Sequence, residues 1–123
     1  MDIKEIAVTL HSTGRNCAQC VFMACSPYSG VDEAVAESSA AAFGGGMRCG
    51  EVCGAITGGL MAIGASQYEN TGSRVRINEL TAAYIGAFRN QYGCILCREL
   101  KSKGISCDEL IGFGAQAAEN LIR

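Results

Sequence analysis

Eight cysteines in 123 residues, beside a single histidine and no tryptophan, mark where this sequence could do chemistry. Cys17 and Cys20, Cys49 and Cys53, and Cys94 and Cys97 form three local pairs, while Cys25 and Cys107 stand alone. A thiolate is a nucleophile, a redox centre and a soft metal ligand. Residues three or four apart on one helix share a face, with Cβ atoms about 5 to 6 Å apart. Each pair could therefore hold a metal ion jointly or, after local rearrangement, exchange a disulfide. An isolated residue such as Cys25 reads instead as a small buried hydrophobe.

Cys53 stands out among them. It is predicted within the first turn of an uncharged helix, where unpaired backbone N–H groups and the positive end of the helix dipole stabilise a thiolate. Arg48 would add a favourable charge and Glu51 would oppose it, so Cys53 is expected to be a low-pKa nucleophile. Other enzyme chemistry finds no support. His11 lies in an amphipathic first helix as a surface or packing residue, and no Cys–His–Asn arrangement can be built around it. Gly44, Gly45 and Gly46 lack the preceding strand and following lysine of a phosphate loop.

The elements that must position these thiols read as helices. The chain is 49% apolar and 18% charged, with one proline and almost no alternating strand pattern. At this length folding hides roughly two-thirds of the unfolded surface, so no disulfide staple is needed. Helices are expected near residues 2 to 12 (capped by Asp2; Ile3, Ile6, Ala7 and Leu10 inward) and 16 to 25 (capped by Asn16, ended by Pro27). Another should run from Asp32 to Phe43 and end in a flexible Gly44–Gly46 loop. A Gly-rich buried helix should start near Glu51 and run through Ser66. After a polar turn from Asn70 to Gly72, a helix from Val75 to Asn90 should bury Ile77, Leu80, Ala83, Tyr84 and Ala87. Two pieces follow, Cys94 to Lys101 and Cys107 to Ile122, the latter burying Leu110, Ile111, Ala117, Ala118 and Leu121. The expectation is an all-α bundle of about five to seven helices in a single domain over residues 1–123, with the Gly-rich helix at its centre. Gly54, Gly58 and Ala62, four apart, form a groove that something must approach closely.

The formal charge of −2 offers no basic stripe for nucleic acid or a membrane surface. The uncharged run Val52–Ser66 falls short of the roughly 18 apolar residues that span a membrane. Residues Met1 to Leu10 lack the basic and apolar regions of a secretory signal, so a cytoplasmic location is expected. In a reducing compartment clustered cysteines serve as metal ligands or redox thiols more often than as structural disulfides.

The run Cys53-Gly54-Ala55-Ile56-Thr57-Gly58 carries a resemblance, together with Asn16-Cys17 and the FGGGM stretch Phe43–Met47 upstream, and Cys97-Arg98-Glu99-Leu100 and Cys107 downstream. In these residues the chain resembles the redox-active proteins named for their C_GCAxxG_C_C pattern. The resemblance implies a small helical domain, a redox role, Cys17, Cys53, Cys97 and Cys107 as the recurring cysteines, and frequent association with transporters. Cys20, Cys25, Cys49 and Cys94 are additions to that pattern. Some relatives carry haem, but without a C-x-x-C-H run the chain has no covalent c-type attachment site.

Three functions follow as expectations. In the first, Cys53 forms a disulfide that Cys17, Cys97 or Cys107 resolves in exchange with a redox partner. In the second, ligands drawn from Cys17, Cys20, Cys49, Cys53, Cys94, Cys97 and Cys107 hold Zn, Cu(I) or an iron–sulfur cluster. In the third, the chain is a non-catalytic module that contacts a membrane transporter or forms a homodimer through its Gly/Ala face.

Overall fold

The computed structural model of the chain describes residues 1–69 and 72–123, so Asn70 and Thr71 of the expected polar turn lie outside the described residues. The first two helices begin where their caps dictate. Asp2 accepts the Glu5 N–H at 2.8 Å and starts α1, Ile3–Ser12, which buries Ile3 and Ala7. Asn16 and Gln19 form a reciprocal capping box, both bonds 2.9 Å, that starts α2, Cys17–Ala24. After Cys25 the chain re-enters a single turn, α3, Ser26–Ser29, with Pro27 in the first turn and Gly30 closing it at φ 75°.

Helix α4, Glu33–Ser39, ends four residues before Phe43. The cap of α2 supplies a reason, because its side chains take the carbonyls around this end. Gln19 Nε2 donates to Glu37 O at 2.8 Å, and Asn16 Nδ2 donates to Ala41 O at 3.1 Å and Ala40 O at 3.4 Å. The following glycines are not a flexible loop either. Gly45, Gly46, Met47 and Arg48 all lie in the left-handed region, with φ of 63, 65, 58 and 60°. The segment Gly46–Gly50 then makes one wide helical turn, closed by Glu51 N–H donating to Gly46 O at 3.0 Å. Left-handed backbone costs an L-residue roughly 1 to 2 kcal/mol, so Met47 and Arg48 are strained. Close packing holds the turn. A Cβ on Gly44 would meet the Asn16 side chain at 2.5 Å, and one on Gly46 would meet Glu51 O at 2.6 Å and Cys97 Cβ at 2.7 Å.

The remaining helices are α5, Gly54–Gln67, α6, Arg74–Tyr92, α7, Cys97–Ser102, and α8, Cys107–Ile122. Helix α5 packs against α2, α6 and α8. A Cβ on Gly58 would overlap the Ala18 carbonyl of α2, and one on Gly59 would overlap the Tyr84 ring of α6. Neighbouring helices are thus what approach these glycines. Helix α6 buries Leu80, Tyr84, Phe88 and Tyr92, a strict four-residue stripe, while Ala83 is exposed and Ile77 and Ala87 are half-buried. Aromatic contact decides this face: Phe113 of α8 lies edge-on to Phe88 and Tyr92, with ring centroids 5.0 and 5.3 Å away. The buried Tyr84 hydroxyl lies 2.9 Å from Ala55 O and 3.0 Å from Gly114 O.

Helix α8 buries Leu110, Ile111, Ala115 and Ala118, leaving Ala117 and Leu121 half-buried, and packs on α1, where His11 Nδ1 and Asp108 Oδ1 are 2.7 Å apart. Among the described residues there are eight α-helical segments besides the wide turn, more than five to seven because the single turn α3 stands beside the seven expected pieces. The described residues hold no β-strand, only an isolated antiparallel bridge between Val52 and Leu96. None of the described helices is long and apolar enough to cross a membrane.

Candidate functional site

Four of the eight cysteines stand at the starts of α2, α5, α7 and α8, and Cys25 is the N-cap of the single-turn α3. Cys17, Cys97 and Cys107 are the first residues of α2, α7 and α8, and Cys53 is the N-cap of α5. Local sequence fixes two of these starts. Asn16 caps the turn that carries Cys17, and Ser106 Oγ accepts the Glu109 N–H at 3.1 Å in the turn that carries Cys107.

Glycine and backbone pairing bring the four ends together. A Cβ on Gly54 would meet Cys17 Cβ at 3.0 Å and Ala18 N at 3.1 Å, so the bare start of α5 lets the start of α2 come beside Cys53. Cys53 N–H donates to Ile95 O at 2.9 Å and Cys97 N–H donates to Glu51 O at 2.6 Å. These two bonds flank the Val52–Leu96 bridge and tie the starts of α5 and α7 in register. Arg98 Nη1 reinforces the tie, 3.0 Å from Glu51 Oε2. In the resulting cluster Cys17 lies close enough to Cys107 and Cys53 for their charges to act on it, and Cys53 is likewise within reach of Cys97 and Cys107.

Burial reverses the expected electrostatics of Cys53. It is 2% exposed, and loss of water pushes its thiol up to about 11 even though the N–H groups of Ala55 and Ile56 pull it down. The helix start favours a thiolate as anticipated, but desolvation outweighs it. Cys53 is therefore not a low-pKa nucleophile in this conformation. Arg48 sends Nη2 to Ala41 O at 3.0 Å, and Glu51 pairs with Arg98. Cys17 is pushed up to about 12, first by burial and then by the charges of Cys107 and Cys53. Exposure separates the four: Cys17 and Cys107 are half-buried, whereas Cys53 and Cys97 are buried.

The other cysteines fall elsewhere. Cys20 is buried on α2, its Sγ donating to Arg15 O at 3.6 Å, and burial pushes it up to about 12 against the opposing charge of Arg15. Cys25 lies fully in the core, also pushed up to about 12 by burial and then by Glu119. Cys49 is exposed in the wide turn and donates to Gly46 O at 3.5 Å, and Cys94 is half-buried before α7 and donates to Tyr92 O at 3.8 Å. Only Cys17 and Cys20 share a helix. Cys49/Cys53 and Cys94/Cys97 each straddle a helix start, so the same-face geometry expected of all three pairs holds for one.

All eight are free thiols. Among the described residues no three Cys, His, Asp or Glu side chains come together as a metal ion's ligand set. Sequence reasoning missed the backbone tie through Glu51 and Ile95, which has no local signal. It also missed the placement of His11 against Asp108, next to Cys107.

No curated protein and no solved structure matches the chain. The family model described as "Putative redox-active protein (C_GCAxxG_C_C)" matches residues 15–121, from just before the Asn16 cap to the last turn of α8, and the chain belongs to that family.

Proposed function

We propose that the protein is a thiol–disulfide redox protein whose working set is Cys17, Cys53, Cys97 and Cys107, with Cys17 and Cys107 as the pair that meets a partner. The observation that carries this reading is the nearness of those two thiols, each half-buried and each in the first turn of a helix.

The step balances as two exchanges. One outer thiolate attacks a partner disulfide, forming a mixed disulfide and releasing one partner thiolate. The second outer thiolate attacks the first sulfur, leaving Cys17–Cys107 and releasing the second partner thiolate. Two electrons pass to the partner, and its thiolates take up the two protons.

The test is oxidation of reduced, metal-free protein with oxidised glutathione, followed by alkylation and disulfide mapping. The expected product is a Cys17–Cys107 disulfide. Cys17→Ser should leave a glutathione adduct on Cys107, and Cys107→Ser one on Cys17. Stoichiometric zinc, copper or iron in anaerobically purified protein, with these thiols protected from alkylation, would replace the reading by the thiolate–metal one. If both serine variants change the unfolding midpoint and no thiol chemistry, the accessory-module reading takes over.

A further inference from the structure

Two of the four clustered thiols lie beyond the reach of a macromolecular partner. Cys53 is 2% exposed and Cys97 9% exposed, and the Gly45–Arg48 turn lies against Cys97, leaving no room for a Cβ on Gly46. Yet their backbones are tied by the two bonds around the Val52–Leu96 bridge. Cys53 is also within reach of the charges of Cys107 and Cys17, the latter packed against Gly54, the next residue along. Cys53 therefore neighbours the outer pair and Cys97 alike.

We infer that Cys53 and Cys97 form a second, inner dithiol that is oxidised through the outer pair, with Cys53 as the sulfur that receives the exchange. The inference rests on the outer couple proposed above. Starting from a Cys17–Cys107 disulfide, the Cys53 sulfur attacks the Cys107 sulfur as its proton leaves, forming Cys53–Cys107 and releasing Cys17, whose sulfur takes up that proton. The Cys97 thiolate then attacks the Cys53 sulfur and releases the Cys107 thiolate. The inner pair has lost two electrons and two protons, and the outer pair has gained both. A second encounter reoxidises the outer pair, so the protein holds four electrons' worth of disulfide.

Burial of Cys53 fits this role, because a thiol approached only by neighbouring sulfurs is shielded from other oxidants. Cys53 and Cys97 lie diagonally across the bridge, a relation that puts Cα atoms about 7 to 8 Å apart in a regular ladder. A disulfide needs them within roughly 7 Å, so closing the inner bond requires a small slide of one backbone past the other. That slide disturbs the two bonds flanking the bridge.

The experiment follows disulfides over time after adding one and then two equivalents of oxidised glutathione to the reduced full chain. At one equivalent Cys17–Cys107 should appear first and give way to Cys53–Cys97; at two equivalents both should be present. In Cys97→Ala the transfer should stop at Cys53–Cys107 or Cys17–Cys107. In the Cys17→Ser/Cys107→Ser double variant Cys53–Cys97 should form at least about tenfold more slowly, since glutathione then reaches the inner pair only when the structure opens. Circular dichroism confirms that each variant is folded, and amide exchange at Cys53 and Cys97 should quicken when the inner bond forms. An inner disulfide that forms equally fast in the double variant, or never forms in a chain that does make Cys17–Cys107, overturns this inference and leaves the proposed function standing. Absence of Cys17–Cys107 from the intact chain overturns the proposed function itself.

Discussion

The two flanks of α5 use glycine toward opposite ends. At its N-terminal end Gly54 and Gly58 admit the backbone of α2 and bring Cys17 toward Cys53, the margin that carries the thiols. One residue further on, Gly59 admits the ring of Tyr84, whose hydroxyl lies against the carbonyls of Ala55 and Gly114 in the sealed core. The same lack of a side chain positions reactive groups on one flank and closes an aromatic core on the other. Chemistry and stability should therefore be separable by substitutions a single residue apart.

Alkaline pH has the largest expected effect, and it acts on both flanks. Cys17, Cys20 and Cys25 are pushed up to about 12 and Cys53 to about 11, above the thiol's ordinary value of 9.0, chiefly by burial. The folded state holds these protons more tightly than the unfolded chain. Their contribution is fully present below pH 9 and is lost as pH rises toward 11 to 12. Urea unfolding of the reduced protein should show a midpoint that is flat below pH 9 and falls steeply above it. Cys20→Ala with Cys25→Ala should flatten that fall by removing its core share.

Substituting the glycines separates the flanks. Gly59→Ala places a methyl into the Tyr84 ring and should cost about 3 kcal/mol in urea unfolding, from overpacking and disturbed hydrogen bonding. Disulfide mapping of the variant that still folds should be unchanged. Gly58→Ala presses on the Ala18 carbonyl and should cost about 2 kcal/mol, but it also displaces the start of α2, so Cys17–Cys107 should form more slowly. Equal effects of the two on thiol mapping would erase the distinction. The smallest effect is expected of Asn16→Ala, about 1 kcal/mol for a lost N-cap. It too should slow the outer disulfide, because the cap fixes the turn that carries Cys17.

What the sequence disclosed follows the range of the forces involved. Asp2 and Asn16 announce α1 and α2 because a cap acts within one turn, and α8 begins at Cys107 as its pattern requires. The overrun of α4 to Phe43 reflects contacts 18 to 25 residues away, from Gln19 and Asn16, that no local window contains. The left-handed turn was hidden because Met47 and Arg48 are ordinary residues in a conformation imposed by packing. On α6 the expected face held Leu80 and Tyr84 but took Ala83 and Ala87 where the strict four-residue spacing continues to Phe88 and Tyr92. At the site, Cys17, Cys53, Cys97 and Cys107 each stand at a helix start. The charge state of Cys53 was not legible, because desolvation depends on everything packed around it.

The packing of α1 on α8 has a consequence for how the protein is made. Ile3 and Ala7 leave the ribosome before the helices that cover them, and α2 can cover part of their helix soon after. The rest of that face waits for α8, about 100 residues later, or roughly 5 to 20 s at ordinary rates of synthesis. During that interval Cys17 also lacks the neighbour that α8 brings, so the outer thiol pair comes into being with the last helix of the fold.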